Sequence, residues 1–117
     1  MSKVSIRFFD DREVRAVWDE VKSKWLFSVV DVCAVLSDSF QPRKYWNNLK
    51  TKLLTEKNEL SEKIGQLKLK AEDGKMRLTD VLDMDGIVAL GKQFPGKRAN
   101  RFIDWFMQYF RVKFIDS

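Results

Sequence analysis

Hydrophobic and polar positions change period along the chain, and each change marks an element. In Val4 to Phe9 the apolar residues Val4, Ile6 and Phe8 alternate, which is the period of a strand. Asp10-Asp11 is a turn signal. Glu13 to Trp18 and Trp25 to Val29 carry β-branched and aromatic residues, and the polar Asp19 to Lys24 connects them. This pattern predicts a small antiparallel sheet of three strands, acting as a platform for helices. Its aromatics, Phe8, Phe9, Trp18, Trp25 and Phe27, are expected in the core and not on a base-stacking surface.

The period then lengthens. Phe27 to Leu54 reads as a short helix, a polar break and a longer basic helix. Val29, Val30, Val32, Cys33, Val35 and Leu36 are too densely apolar for a solvated helix. Ser37, Asp38 and Ser39 break the pattern. Pro42 opens the second helix, because its fixed φ suits a first helical turn and its missing N–H is not needed there. At 100° per residue, Trp46, Leu49 and Leu53 share one face. Arg43, Lys44, Asn47, Asn48 and Thr51 fall on the other. Each of these can donate a hydrogen bond and none is acidic. Arg and Lys suit phosphates and guanine edges, and Asn can pair with adenine. Two helices joined by a short turn, the second basic and amide-rich, suggest a helix-turn-helix. An ordinary amphipathic helix with a solvated face is the plain alternative.

Thr55 to Gly65 is polar and reads as a helix end plus a loop. Gln66 to Val81 is expected to be a hairpin turning at Asp73-Gly74, a two-residue turn signal. That register sets Glu72 opposite Lys75, Ala71 opposite Met76, Lys70 opposite Arg77 and Leu69 opposite Leu78. Leu67, Leu69, Ala71, Met76 and Leu78 then form a core face, and Lys68, Lys70, Lys75, Arg77 and Glu72 an outer one. Opposed like charges at Lys70 and Arg77 would repel unless an anion lay over them. A basic ribbon after a helix-turn-helix is a winged-helix arrangement. Leu82 to Phe94 reads as a helix capped by Asp83 or Asp85. Pro95-Gly96 breaks the chain, and a helix from Arg98 to about Ile115 follows. Phe102, Trp105, Phe106, Tyr109 and Val112 line one face of it. Ile103, Met107, Phe110 and Phe114 line a second, expected to form a homodimer contact or to pack internally.

Composition narrows the function classes. The chain has 117 residues, 44% of them hydrophobic and 13% aromatic, enough for one domain of α+β class with a real core. No apolar run is long enough to cross a membrane, and no apolar N-terminal signal segment is present, so a cytoplasmic or nucleoid location is expected. Cys33 is the only cysteine and there is no histidine. A disulfide framework, Cys/His zinc sites and histidine-based catalysis are therefore excluded within one chain. No cofactor and no enzymatic activity are expected. Asp80, Asp83 and Asp85 could hold Mg²⁺ in a nuclease, but carboxylates at a helix N-terminus account for them better. Asp83-Met84-Asp85-Gly86 fails as a calcium loop, since Phe94 stands where a bidentate Glu is needed.

Charge is uneven. The net charge is +5 and the pI about 9.4. Residues 41–77 hold 10 basic and 5 acidic side chains, so this third supplies the whole excess. A concentrated positive field favours a polyanion.

The order of blocks "WLFSVVDVCAVLSDS", "PRKYWNNLK", "KLKAEDGKMRLTDVLDMDGIVAL" and "FPGKRANRFIDWF", after an N-terminal hairpin, resembles the Bro-N domain. That domain opens baculovirus repeated-ORF proteins and many phage and prophage antirepressors. The resemblance covers nearly the whole chain, and Asp31, Val32, Leu36, Pro42, Asp85, Gly86, Phe102 and Trp105 sit at family-like positions. It implies a DNA-binding domain of a phage- or virus-type regulator, often followed by a separate C-terminal domain. No such module is recognisable here, so the chain reads as a domain excised from a longer regulator. The expected partner is double-stranded DNA, contacted by Arg43, Lys44, Asn47, Asn48 and Thr51 on the helix and by Lys68, Lys70, Lys75 and Arg77 on the hairpin. The alternative is a module that binds a repressor protein.

Overall fold

A computed structural model describes residues 4–108 apart from positions 38, 72 and 95. The strands are β1 (Val4–Phe9), β2 (Arg12–Asp19), β3 (Lys24–Ser28), β4 (Gly65–Lys70) and β5 (Met76–Asp83). The helices are α1 (Val29–Ser37), α2 (Pro42–Thr55), α3 (Glu59–Glu62), α4 (Met84–Gly91) and α5 (Lys97–Phe106). The architecture is α+β. The expected three-stranded sheet and the separate hairpin are in fact one antiparallel sheet in the order β1-β2-β3-β5-β4, because β3 pairs with β5. Among the described residues no helix is long and apolar enough to cross a membrane.

One face of the sheet carries the core. Val14 and Ala16 of β2, Phe27 of β3 and Leu82 of β5 are fully buried in the cluster that includes Val32, Trp46, Ile87 and Leu90. From α5, Phe106 meets Phe27 edge-on with ring centroids 4.7 Å apart, and Phe102 meets Phe9 at 5.5 Å. Such pairs add to the area buried. Ile103 of α5 packs so closely on α4 that a methyl at Gly91 would lie 2.9 Å from its Cγ1 and Cδ1. That residue of the second α5 face therefore packs internally, Met107 is half-buried, and Phe110 and Phe114 lie outside the described residues.

Several expectations are corrected. Val4, Ile6 and Phe8 alternate as read, but their stripe is exposed, and Phe9 is the buried member of the Phe8-Phe9 pair. The polar stretch after α2 contains a helical turn, α3. Asn58 caps it, accepting from the Leu60 N–H at 2.9 Å, and Leu60 is buried. Leu82 belongs to β5, and α4 begins only after Asp83.

The hairpin register is also shifted by one residue. Lys70 faces Met76, Leu69 faces Arg77 and Lys68 faces Leu78. The cause is the turn. A two-residue type I′ turn needs φ > 0 at both centres, as at Asp10 and Asp11 in the β1–β2 hairpin. In the β4–β5 turn Gly74 has φ 83°. The Ala71 C=O accepts from the Gly74 N–H at 2.9 Å, and the Ala71 N–H donates to the Lys75 C=O at 2.8 Å. The loop between Ala71 and Lys75 is therefore one residue longer than a two-residue turn. The slip exchanges the faces of β5. Leu69 and Thr79 are buried on one face with Arg77 beside them, while Met76 and Leu78 are exposed on the other with Lys68 and Lys70. Lys70 and Arg77 are not opposed, and Glu72 lies outside the described residues.

Candidate nucleic-acid interface

α2 is placed by its two ends and its buried face. Between α1 and α2 the serines supply the hydrogen bonds that the backbone lacks. Ser37 Oγ donates to the Cys33 C=O, Ser39 N–H donates to Ser37 Oγ at 3.2 Å, and Gln41 N–H donates to Ser39 Oγ at 3.0 Å. Pro42 then occupies the first helical turn. Trp46 and Leu53 are buried as the helical period predicts. The Trp46 Nε1–H donates to Asp80 Oδ2 at 2.7 Å. Lys50 Nζ donates to the same oxygen at 2.9 Å, and Gln66 Nε2 donates to Oδ1 at 3.0 Å. Asp80 thus clamps α2 to β5 and β4. Burial pushes its carboxyl up, but the hydrogen bonds from Gln66, Trp46 and Lys50 outweigh this and hold it below the ordinary range.

A second clamp places the hairpin. Asp31, in the first turn of α1, accepts from the Arg15 backbone N–H, Nε and Nη2. The remaining Arg15 nitrogen, Nη1, donates to the Lys70 C=O at 2.9 Å, at the outer end of β4. β2, α1 and the hairpin are therefore joined through one guanidinium, whose planar fork suits several acceptors at once.

With both clamps set, a broad open concavity is lined by Arg43, Lys44 and Asn47 from the start of α2 and by Lys68, Lys70 and Arg77 from the hairpin. Asn48, Thr51 and Lys75 are exposed but do not line it. Thr51 Oγ1 donates to the Asn47 C=O at 2.9 Å. Arg43, Lys44, Lys68, Lys70 and Lys75 make no ion pair with a described residue. Arg77 differs, since its Nη2 donates to Asp73 Oδ2 at 2.5 Å. That bond, with the Lys75 N–H, lowers the Asp73 pKa. Asp31, Asp73 and Asp80 are engaged by basic groups of the fold, Arg15, Arg77 and Lys50. Toward β2 the lining carries Asp11, Glu13, Asp19 and Glu20 beside Arg12 and Arg15, so the predominantly basic part is the α2–hairpin end.

Met76 and Leu78 also line the concavity, 58% and 55% exposed, opposite Lys70 and Lys68. Sequence reasoning assigned them to the core because it took the shorter turn. The Arg15 and Asp80 clamps were also missed. Only the alternation of Arg15 with Val14 and Ala16 hinted that Arg15 leaves the core face.

Of the aspartates considered for a metal, Asp80 and Asp83 are used structurally and Asp85 lies in the first turn of α4. Asp83 accepts from the Gly86 N–H at 2.8 Å, capping α4, and from Lys24 Nζ at 2.9 Å. Burial raises its pKa, but these bonds and the Lys24 and Lys63 charges overcome that and lower it. Among the described residues no group of three or more metal-ligating side chains is placed to hold an ion. No protein-family model matches the chain, and no curated protein or solved structure matches it either.

Proposed function

We propose that the chain is a duplex-DNA-binding domain of a phage- or prophage-type regulator of the Bro-N kind. The observation that carries this reading is the pairing state of the concavity. Arg43, Lys44 and Asn47 of α2 and Lys68 and Lys70 of β4 line it and make no ion pair among the described residues, while Asp31, Asp73 and Asp80 are engaged within the fold. The order β3, α1, α2, the short α3, β4 and β5, with β3 paired to β5, supports a winged-helix-like use. α2 would present Arg43, Lys44 and Asn47 to base edges in the major groove, and Lys68 and Lys70 would hold phosphates. The order of sequence blocks that resembles Bro-N supports the regulatory context.

A second reading, a module that binds a repressor protein, is favoured by a specific feature. Met76 and Leu78, with the fully exposed Phe40 beside the α1–α2 break, offer apolar surface to a protein partner. A mobility-shift titration with random duplex across a salt series separates the two. The DNA reading expects affinity that falls steeply and linearly in log–log form with salt. Absence of a shift at low salt would refute it.

A further inference from the structure

β1 lies at one end of the sheet and the hairpin strand β4 at the other. The outer edge of β1 has a definite phase. Phe9 faces Arg12 across the two-residue Asp10-Asp11 turn. Such a turn closes on a hydrogen-bonded pair, and these pairs recur at every second residue. Arg7–Val14 and Ser5–Ala16 are therefore hydrogen-bonded within the hairpin, and Val4, Ile6 and Phe8 turn their N–H and C=O groups outward. Two contacts agree with this phase. The N–H of Arg15, which faces Ile6, is given to Asp31 instead. The Ile6 C=O accepts from the Arg7 guanidinium of its own chain, at 3.3 Å on the exposed side. The residues with outward backbone groups are also those with exposed apolar side chains, Val4 at 64%, Ile6 at 44% and Phe8 at 58%. An apolar, regular edge strand of this kind is a template for another strand.

We propose that β1 pairs antiparallel with β1 of a second copy of this chain, about a two-fold axis at Ile6. The strand is self-complementary in that register. Ile6 faces Ile6 of the second copy, and Val4 faces Phe8 in both directions, so the apolar stripe is continuous. On the other side of the strand Ser5 faces Arg7, so no like charges are directly opposed. An isologous two-fold contact requires this symmetry of one patch with itself. The Arg7 contact to Ile6 C=O is long and exposed, and the Ile6 N–H of the second copy replaces it. Val4 and Ile6 line the same concavity as the α2 and hairpin groups, but the pairing does not rest on the DNA-binding reading.

Sedimentation of the chain over a micromolar concentration series should show a mass doubling, and Ile6→Lys should abolish it with the melting temperature retained. Cysteine variants test the register. Paired residues in a hydrogen-bonded position have Cα atoms about 5.5 Å apart, within disulfide reach. Ile6→Cys should therefore form a covalent dimer under mild oxidation. Phe8→Cys should not, because the two Phe8 positions lie four residues apart along the strands, roughly 13 Å. The native Cys33 is buried and stays silent. A parent chain that remains monomeric throughout, or a Phe8→Cys variant that cross-links as fast as Ile6→Cys, overturns the proposal.

Discussion

Arg15 holds the carboxylate of Asp31 with three donors at once, its backbone N–H at 2.9 Å, Nε at 2.8 Å and Nη2 at 3.0 Å. Both side chains are largely shielded, 19% and 13% exposed. The pair occurs where β3 ends at Ser28 and α1 begins. Asp31 takes the β2 N–H that β3 has stopped pairing, so the strand-to-helix change leaves no orphan donor there. Asp31→Ala should destabilise the fold by about 2–4 kcal/mol, since it strands a shielded guanidinium and a backbone N–H. Arg15→Lys should keep the charge yet release the Lys70 carbonyl, seen as faster amide hydrogen exchange in the β4–β5 hairpin. Unchanged unfolding and exchange in both variants would show that the pair does not position the hairpin.

Trp46 combines a buried ring with a polar handle. Trp46→Ala should cost roughly 3–5 kcal/mol, the range for a buried large aromatic. Trp46→Phe keeps most of the ring and removes only the donor to Asp80, so a loss of about 1 kcal/mol is expected. Chemical denaturation of the two variants measures the difference. Equal losses would mean that the hydrogen bond, and not the ring, holds α2.

Asp80 and Asp83 both have lowered pKa values in the fold, from an ordinary 3.8. A group held lower in the folded state adds stability above its unfolded pKa and loses it as the pH falls through the folded value. The protein should therefore be at full strength at neutral pH and weaken below about pH 4. Melting temperature against pH in Asp80→Asn should show a shallower acid decline than the parent. A parallel decline would assign the acid sensitivity elsewhere.

Gly91 sets how closely α4 and α5 approach. A methyl there would sit 2.9 Å from Ile103, too close without movement. Gly91→Ala should cost about 1–3 kcal/mol through overpacking. Adding Ile103→Val should recover part of that loss, a coupling that a double-mutant cycle reads directly. Additive losses would mean that the two residues do not touch.

On DNA, the α2 and hairpin groups should separate. Lys68→Ala and Lys70→Ala should weaken binding equally on all sequences and reduce the salt slope by roughly 1 each. Arg77→Ala should change the slope less, because Asp73 already engages that guanidinium. Asn47→Ala or Arg43→Ala should cost roughly 1–3 kcal/mol on a preferred site only. Titrations against specific and random duplex check this, and unchanged affinity in every variant would favour the repressor-binding reading.

Local pattern was enough for much of this protein. The α+β class, the strands at Val4–Phe9 and Trp25, the Pro42 start of α2, the burial of Trp46 and Leu53 and the exposure of Arg43, Lys44, Asn47, Asn48 and Thr51 all follow from period and turn chemistry within a few residues. The tertiary structure decided the rest, because the deciding contacts lie far apart in the chain. Pairing of β3 with β5 joins residues more than fifty positions apart and makes one sheet of two expected pieces. Arg15 reaches Lys70, and Trp46 reaches Asp80, and no spacing rule connects either pair. Asp73-Gly74 allowed either of two turns. The choice between them moved Met76 and Leu78 from the expected core to the surface, because a slip of one residue in a strand of period two inverts its faces. The exposed stripe Val4, Ile6 and Phe8 has the same origin. Alternation shows that a strand has an apolar face, and only the packing of helices on the sheet determines which face is covered.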